Sequence, residues 1–228
     1  AAIFLDKNGT NPLRHAVNTA VLVELVLRNL NADAGPRLSA LAAALTMDIA
    51  MLDLKEALYH QSALLTDAQT QAIRAHPVAG VESLKSAGVS DMVWLNAVGQ
   101  HHELLNGTGY PRGVAGESLT REARAIELAQ RYCAMVSERS YRPRMPSGAV
   151  FKKLIENKQS WDPMLGALLA REIGAYPPSS YVRLAKGEVA IVLKRTAKSG
   201  QPVVRVLISA EGRSSRAFQS ATPGNPIF

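Results

Sequence analysis

The chain has 228 residues, 47% hydrophobic and 20% charged, which is the balance of a soluble globular protein large enough to bury a proper core. No stretch approaches the ~18 consecutive apolar residues of a membrane span, and one cysteine, Cys133, excludes an internal disulfide framework and fits a reducing, cytoplasmic setting. The net charge of +7 suits an anionic ligand, but with 5% aromatic residues and no nucleic-acid-binding motif a nucleic-acid polymer is not an expected partner.

The chain opens on Ala1-Ala2-Ile3-Phe4, with neither an initiator Met nor a signal-peptide pattern, and reads as a piece of a longer protein. Residues 1–10 read as a loop. Apolar residues then recur at helical spacing from Leu13 to Leu30, with His15 on this first helix. A second helix, Pro36 to Ala50, is rich in Ala and Leu and is expected to be buried all round. Asp48 near its end needs a partner, because an unpaired buried carboxylate is costly. Thr66 and Gln69 form a capping-box signal for a helix carrying Ile73, Arg74 and His76. Pro77 is expected to open a separate helix that ends at Gly88. Further helices are expected over Asp91–His102, Thr120–Ser137, Ser147–Asn157 and Pro163–Ile173. After Tyr176-Pro177-Pro178 the period changes, and 181–184, 188–193 and 202–208 read as strands. The expected fold is therefore mainly α, with a helical bundle over residues 1–175, a small antiparallel β appendage over 176–212 packed on it, and a poorly ordered tail over 213–228.

The densest chemistry lies in the string His101-His102-Glu103-Leu104-Leu105-Asn106-Gly107-Thr108-Gly109-Tyr110-Pro111, which holds two of only five histidines. Adjacent imidazoles at a helix end could flank one metal or serve two, and the glycines allow a tight loop or a close approach. Scattered His and Asp on a helical bundle suggest a metal site across helices, for which Fe, Mn, Zn or Ni would be suitable ions. Taken singly, each residue also has a plain role. His15 could be a satisfied helix histidine, Tyr110 a turn residue, Arg139 and Arg142 solvated charges, and Met47 and Met51 core residues; Cys133 and His60 read as structural.

Over roughly residues 10–210 the chain resembles the HD-GYP family, bacterial metal-dependent phosphohydrolases that cleave cyclic di-GMP. The resemblance implies an HD-type helical bundle and orders the candidates. His15 falls at the family's first-helix histidine, Met47-Asp48 at its His-Asp pair, His76 at its lone helix histidine, and His101-His102 at its His-His pair. Arg139 and Arg142 fall at basic residues that meet the ligand's phosphates, and Gly107, Gly109, Tyr110 and Pro111 form the loop that would contact a partner protein or ligand. Asp48 is implied as a shared metal ligand and the catalytic carboxylate.

Four positions depart from the pattern: Met47 for the named histidine, Met51 for a phosphate-facing lysine, Gln130 for a metal-binding aspartate, and Asn11 for an acidic residue. One metal site is left with His15 and Asp48, the other with Asp48, His76, His101 and His102. A thioether is a poor ligand for a hard ion. The expectation is one divalent metal per chain at most, Fe or Mn favoured, with a metal-free structural interaction domain as the weakest alternative. The implied role is a bacterial signalling domain that binds cyclic di-GMP, or a related cyclic dinucleotide, or a partner protein, with weak or no hydrolysis. The alternative is an active phosphodiesterase with a mononuclear or rearranged site.

Overall fold

The computed structural model describes residues 12–138, 143–157, 159–196, 201–214, 218–220 and 223–226. Within them eight α-helices precede five short strands: α1 (Pro12–Asn29), α2 (Ala34–Thr46), α3 (Leu52–His60), α4 (Asp67–Ser86), α5 (Met92–Gln100), α6 (Arg121–Val136), α7 (Ser147–Glu156), α8 (Pro163–Ile173), then β1 (Tyr181–Leu184), β2 (Val189–Lys194), β3 (Val203–Ile208), β4 (Phe218–Ser220) and β5 (Pro223–Pro226). The mainly helical architecture with a C-terminal antiparallel sheet is the one the sequence patterns imply. None of the described helices is long and apolar enough to cross a membrane.

The buried stripe of α1 runs His15, Thr19, Leu22, Val23, Val26, Leu27, the alternating three- and four-residue spacing of one helix face. It packs on α2 and α6. Helix α6 lies at the centre, with Ala125, Ile126, Leu128, Ala129, Tyr132 and Cys133 all buried, and the Tyr132 hydroxyl is 2.6 Å from Ser147 Oγ on α7. Trp94 on α5 donates its indole N–H to Thr46 Oγ1 at 2.8 Å, which pins the end of α2 beside α5.

Three features differ from the sequence reading. The second helix stops at Thr46, and a 3-10 turn, Ile49–Met51, leads into α3, a helix the periodicity did not reveal. Its nine residues include none that is fully buried, so it carries little amphipathic signal. Helix α4 runs through Pro77 without a break. Pro77 has no N–H for the carbonyl of Ile73, and a side chain takes that carbonyl instead: His76 Nδ1 lies 2.6 Å from it. Its N-terminus is the expected capping box, Thr66 with Gln69. Beyond Arg213, where the sequence reading ends regular structure, β4 and β5 add to the sheet.

The sheet has the order β4-β3-β2-β1-β5, with antiparallel pairing throughout. Val182, Leu184, Ala190, Val192, Val204 and Val206 alternate inward and form a small apolar core of their own, capped by Tyr176. The guanidinium of Arg195 at the end of β2 donates to the carbonyls of Arg171 and Glu172 in the last turn of α8, tying sheet to bundle.

Candidate metal centre

A cavity of about 740 Å³ opens between α1, the α2–α3 corner, α4, α5 and α6, within the size range of small-molecule sites. Its deep wall is built by the ends of two helices. His76 sits on α4 just before Pro77, and His101 and His102 follow the last turn of α5. The nitrogen donors of these three residues lie within 4.8 Å of one another. His101 Nδ1 is 2.6 Å from the carbonyl of Val98, a last-turn group, as His76 Nδ1 is from that of Ile73. A carbonyl can only accept, so both rings carry their proton on Nδ1 and turn the Nε2 lone pair into the cavity.

Those two Nε2 atoms are 3.0 Å apart. Two lone pairs at that distance repel unless a cation or a proton lies between them. Burial pushes the His101 imidazole down to about 4, and the neighbouring His76 adds to the shift. Burial likewise lowers His76, and burial followed by the proximity of His101 lowers His102 well below its usual value. Near neutral pH the rings are uncharged, the form in which imidazoles can ligate a metal cation.

Asp48 immediately precedes the 3-10 turn, without a side-chain capping bond to it, and stands beside the imidazoles, its Oδ1 3.8 Å from His76 Nε2. Its other oxygen forms an ion pair with the ammonium of Lys55 on α3. Burial alone would raise this carboxyl, but Lys55, then His101 and His15, outweigh it and hold the group at about 2. His15 on α1 lines the same cavity and lies outside the three-imidazole group. Met47, Met51 and Gln130 also line the cavity. Met47 is 1% exposed and packs in the main core. Gln130 Nε2 is 3.4 Å from His102 Nδ1, so a neutral amide faces the cluster.

The loop after His102 is fastened to the same wall. A Cβ on Gly109 would lie 2.5 Å from Glu103 Cα and from His102 O, so only glycine fits. Tyr110 N donates to His102 O at 3.1 Å. The Tyr110 ring stacks on His102 with centroids 4.6 Å apart, and Arg74 covers it at 5.4 Å. Burial and the Asp48 charge raise the Tyr110 phenol, so it stays protonated. Gly107 takes φ +75, and Pro111 follows a cis peptide bond.

The structure thus brings Asp48, His15, His76, His101, His102 and Tyr110 to one cavity. Arg139 and Arg142, the expected phosphate contacts, lie outside the described residues. Two residues at the site escaped the sequence reading. Lys55 was hidden because α3 itself was not recognised, and the ammonium counted as lost at Met51 is present one helical turn later. Glu103 passed as the third letter of a motif. It is 2% exposed, and its carboxylate accepts the N–H groups of Arg112 at 2.8 Å and Val114 at 3.1 Å, which organises the loop. Charge inside an apolar string was the available signal for it.

A helical bundle with clustered histidines and an Asp at one cavity is the arrangement of a metal-dependent HD-type domain. The HD domain family model matches residues 5–165, and the chain belongs to that family. Among curated relatives, it is 27% identical over 200 residues to the cyclic di-GMP phosphodiesterase PA4108 of Pseudomonas aeruginosa, covering 87% of this chain and 48% of that protein. It is 32% identical over 175 residues to the 3'3'-cGAMP-specific phosphodiesterase 3 of Vibrio cholerae, covering 76% of this chain and 38% of the relative. The chain therefore spans about half the length, or less, of these relatives. Among solved structures, the fold is similar to Bd1817, an HDG"Y"P protein from Bdellovibrio bacteriovorus, with TM-score 0.60 and 20% identity over 70% of this chain and 51% of the other. It also resembles the L. monocytogenes PgpH HD domain in complex with cyclic-di-AMP, with TM-score 0.53 and 16% identity over 77% and 95% of the two chains.

Proposed function

We propose that this chain is a cyclic dinucleotide-binding HD domain with a one-metal site and weak or no hydrolysis. The relatives named as phosphodiesterases of cyclic di-GMP and cGAMP supply the ligand class. The lining around Asp48 carries the rest: a cluster of three imidazoles, with two thioethers, an amide and an ammonium among the remaining side chains. His76, His101 and His102, with Asp48 adjacent, would hold the ion, with Fe or Mn favoured. A bound divalent ion would polarise a phosphoryl oxygen and acidify a water. Around it, the ionised Asp48 supplies negative charge, Lys55 presents a cation to an incoming phosphate, and Tyr110, held between His102 and Arg74, offers a phenol donor at the cavity. Met47, Met51 and Gln130 supply no anionic ligand for a second ion, and loss of such electrostatic stabilisation costs on the order of 10²–10³ in rate per contact.

The test is metal analysis of anaerobically purified protein beside His101→Ala/His102→Ala, with cyclic di-GMP binding and turnover measured on both. About one metal per wild-type chain, lost in the double variant, with binding and little turnover, supports the proposal. Turnover at the rate of an ordinary phosphodiesterase favours the active, mononuclear alternative. No metal in wild type, and none taken up on titration, removes the site.

A further inference from the structure

Asp48 has two oxygens and two kinds of neighbour. Oδ1 is turned toward the imidazole cluster, 3.8 Å from His76 Nε2, while Oδ2 is held by the ammonium of Lys55. The Lys55 side chain is 14% exposed and that of Asp48 7%, so the pair is largely withdrawn from water. Such a pair is costly to split, because either partner alone would be a buried, uncompensated charge. The cavity lining also offers the thioethers of Met47 and Met51. Neither is an anion, and neither competes with the carboxylate for the ammonium.

We infer that Lys55 is a resident cation that occupies the second cation place at Asp48, and so limits the centre to one metal ion and weakens its hold on that ion. The inference rests on the one-metal reading above and assigns the reason for it. A divalent ion at the imidazoles meets a fixed positive charge across a shared carboxylate, in a medium where such repulsion is poorly screened. The carboxylate, engaged through Oδ2, is also less free to turn toward the ion. Lys55 thereby acts as a positioning residue, through Asp48.

The experiment is Mn²⁺ titration by calorimetry of wild type, Lys55→Met, Lys55→Arg, Asp48→Asn and Asp48→Asn/Lys55→Met, with folding of each checked by circular dichroism. Met keeps most of the volume of Lys and removes the charge; Arg keeps the charge. The expected result is tighter Mn²⁺ binding in Lys55→Met, on the order of tenfold or more, since removing an unscreened like charge is worth at least that factor. Lys55→Arg should bind like wild type. In the double variant, which leaves neither charge of the pair unmatched and so guards against misfolding, the gain over Asp48→Asn should shrink or vanish. Unchanged or weaker Mn²⁺ binding in Lys55→Met, with one ion per chain in wild type, overturns the role of Lys55 and leaves the metal site standing. The same gain with and without Asp48 overturns the route through the carboxylate. No Mn²⁺ in any of the proteins overturns the one-metal reading itself.

Discussion

Two walls of one cavity are built from the same helical scaffold and carry opposite chemistry. On the wall made by α4 and α5, every polar group is oriented. His76 and His101 are aimed by backbone carbonyls that proline and a helix end leave without helical donors, and Glu103 and Gly109 hold the following loop against His102. Around the α2–α3 corner and α6, Asp48 is paired with Lys55, Met47 fills space and Gln130 turns a neutral amide to His102. On the one-metal reading proposed above, the fold keeps one half of a metal centre and gives the other half to packing, because the backbone framework does not require both.

Substitutions on the two walls should therefore fail in different currencies. The largest contrast is His76→Ala against Met47→Ala. The first removes a proposed ligand and should lower metal affinity by at least ~100-fold, beyond the loss typical of a ligand's supporting partner. The second should leave metal binding close to wild type while costing about 2–5 kcal/mol of stability, the range for truncating a buried Met. Titration calorimetry and urea unfolding separate them, and comparable metal loss in both would erase the distinction. A smaller effect is expected from Gly109→Ala. Its added methyl meets main-chain atoms of Glu103 and His102 that cannot swing aside, so roughly 1–3 kcal/mol of stability should be lost. The Tyr110 ring should also leave His102, read as a change in tyrosine fluorescence or ring-current shift.

The pH dependence sharpens the same comparison. His101 titrates at about 4 in the fold, against about 6.5 when unfolded. As pH falls from 6.5 toward 4 the unfolded chain takes up a proton that the folded chain refuses, so the metal-free protein should lose stability through that window. Asp48 acts lower down. Its folded value of about 2 means that its contribution is present above about 3.8 and is lost between there and 2. Urea midpoints between pH 7.5 and 4 should show the histidine slope in wild type and in Met47→Ala, and a shallower one in His101→Gln. An equal slope in all three would mean that His101 is not the source.

Much of this protein was determined by local sequence alone. The capping box at Thr66, the spacing along α1, the bounds of α8 and the alternation in the first three strands follow from near-neighbour sterics and burial period, which need no tertiary knowledge. The string from His101 to Pro111 likewise marked the loop, because its glycines and paired histidines are adjacent in the chain. Other features were decided only by the tertiary structure. Helix α3 has no fully buried residue, so periodicity could not reveal it. The continuity of α4 through Pro77 depends on where the His76 ring points, which a rule about proline cannot anticipate. Lys55 was invisible as a partner of Asp48 for the same reason. The two lie seven positions apart across a change of helix type, and only the fold turns that separation into a contact. Motif spacing records which residues can meet along one element; which charges meet across elements is settled by packing, because burial leaves a carboxylate no alternative to the cation that the fold brings beside it.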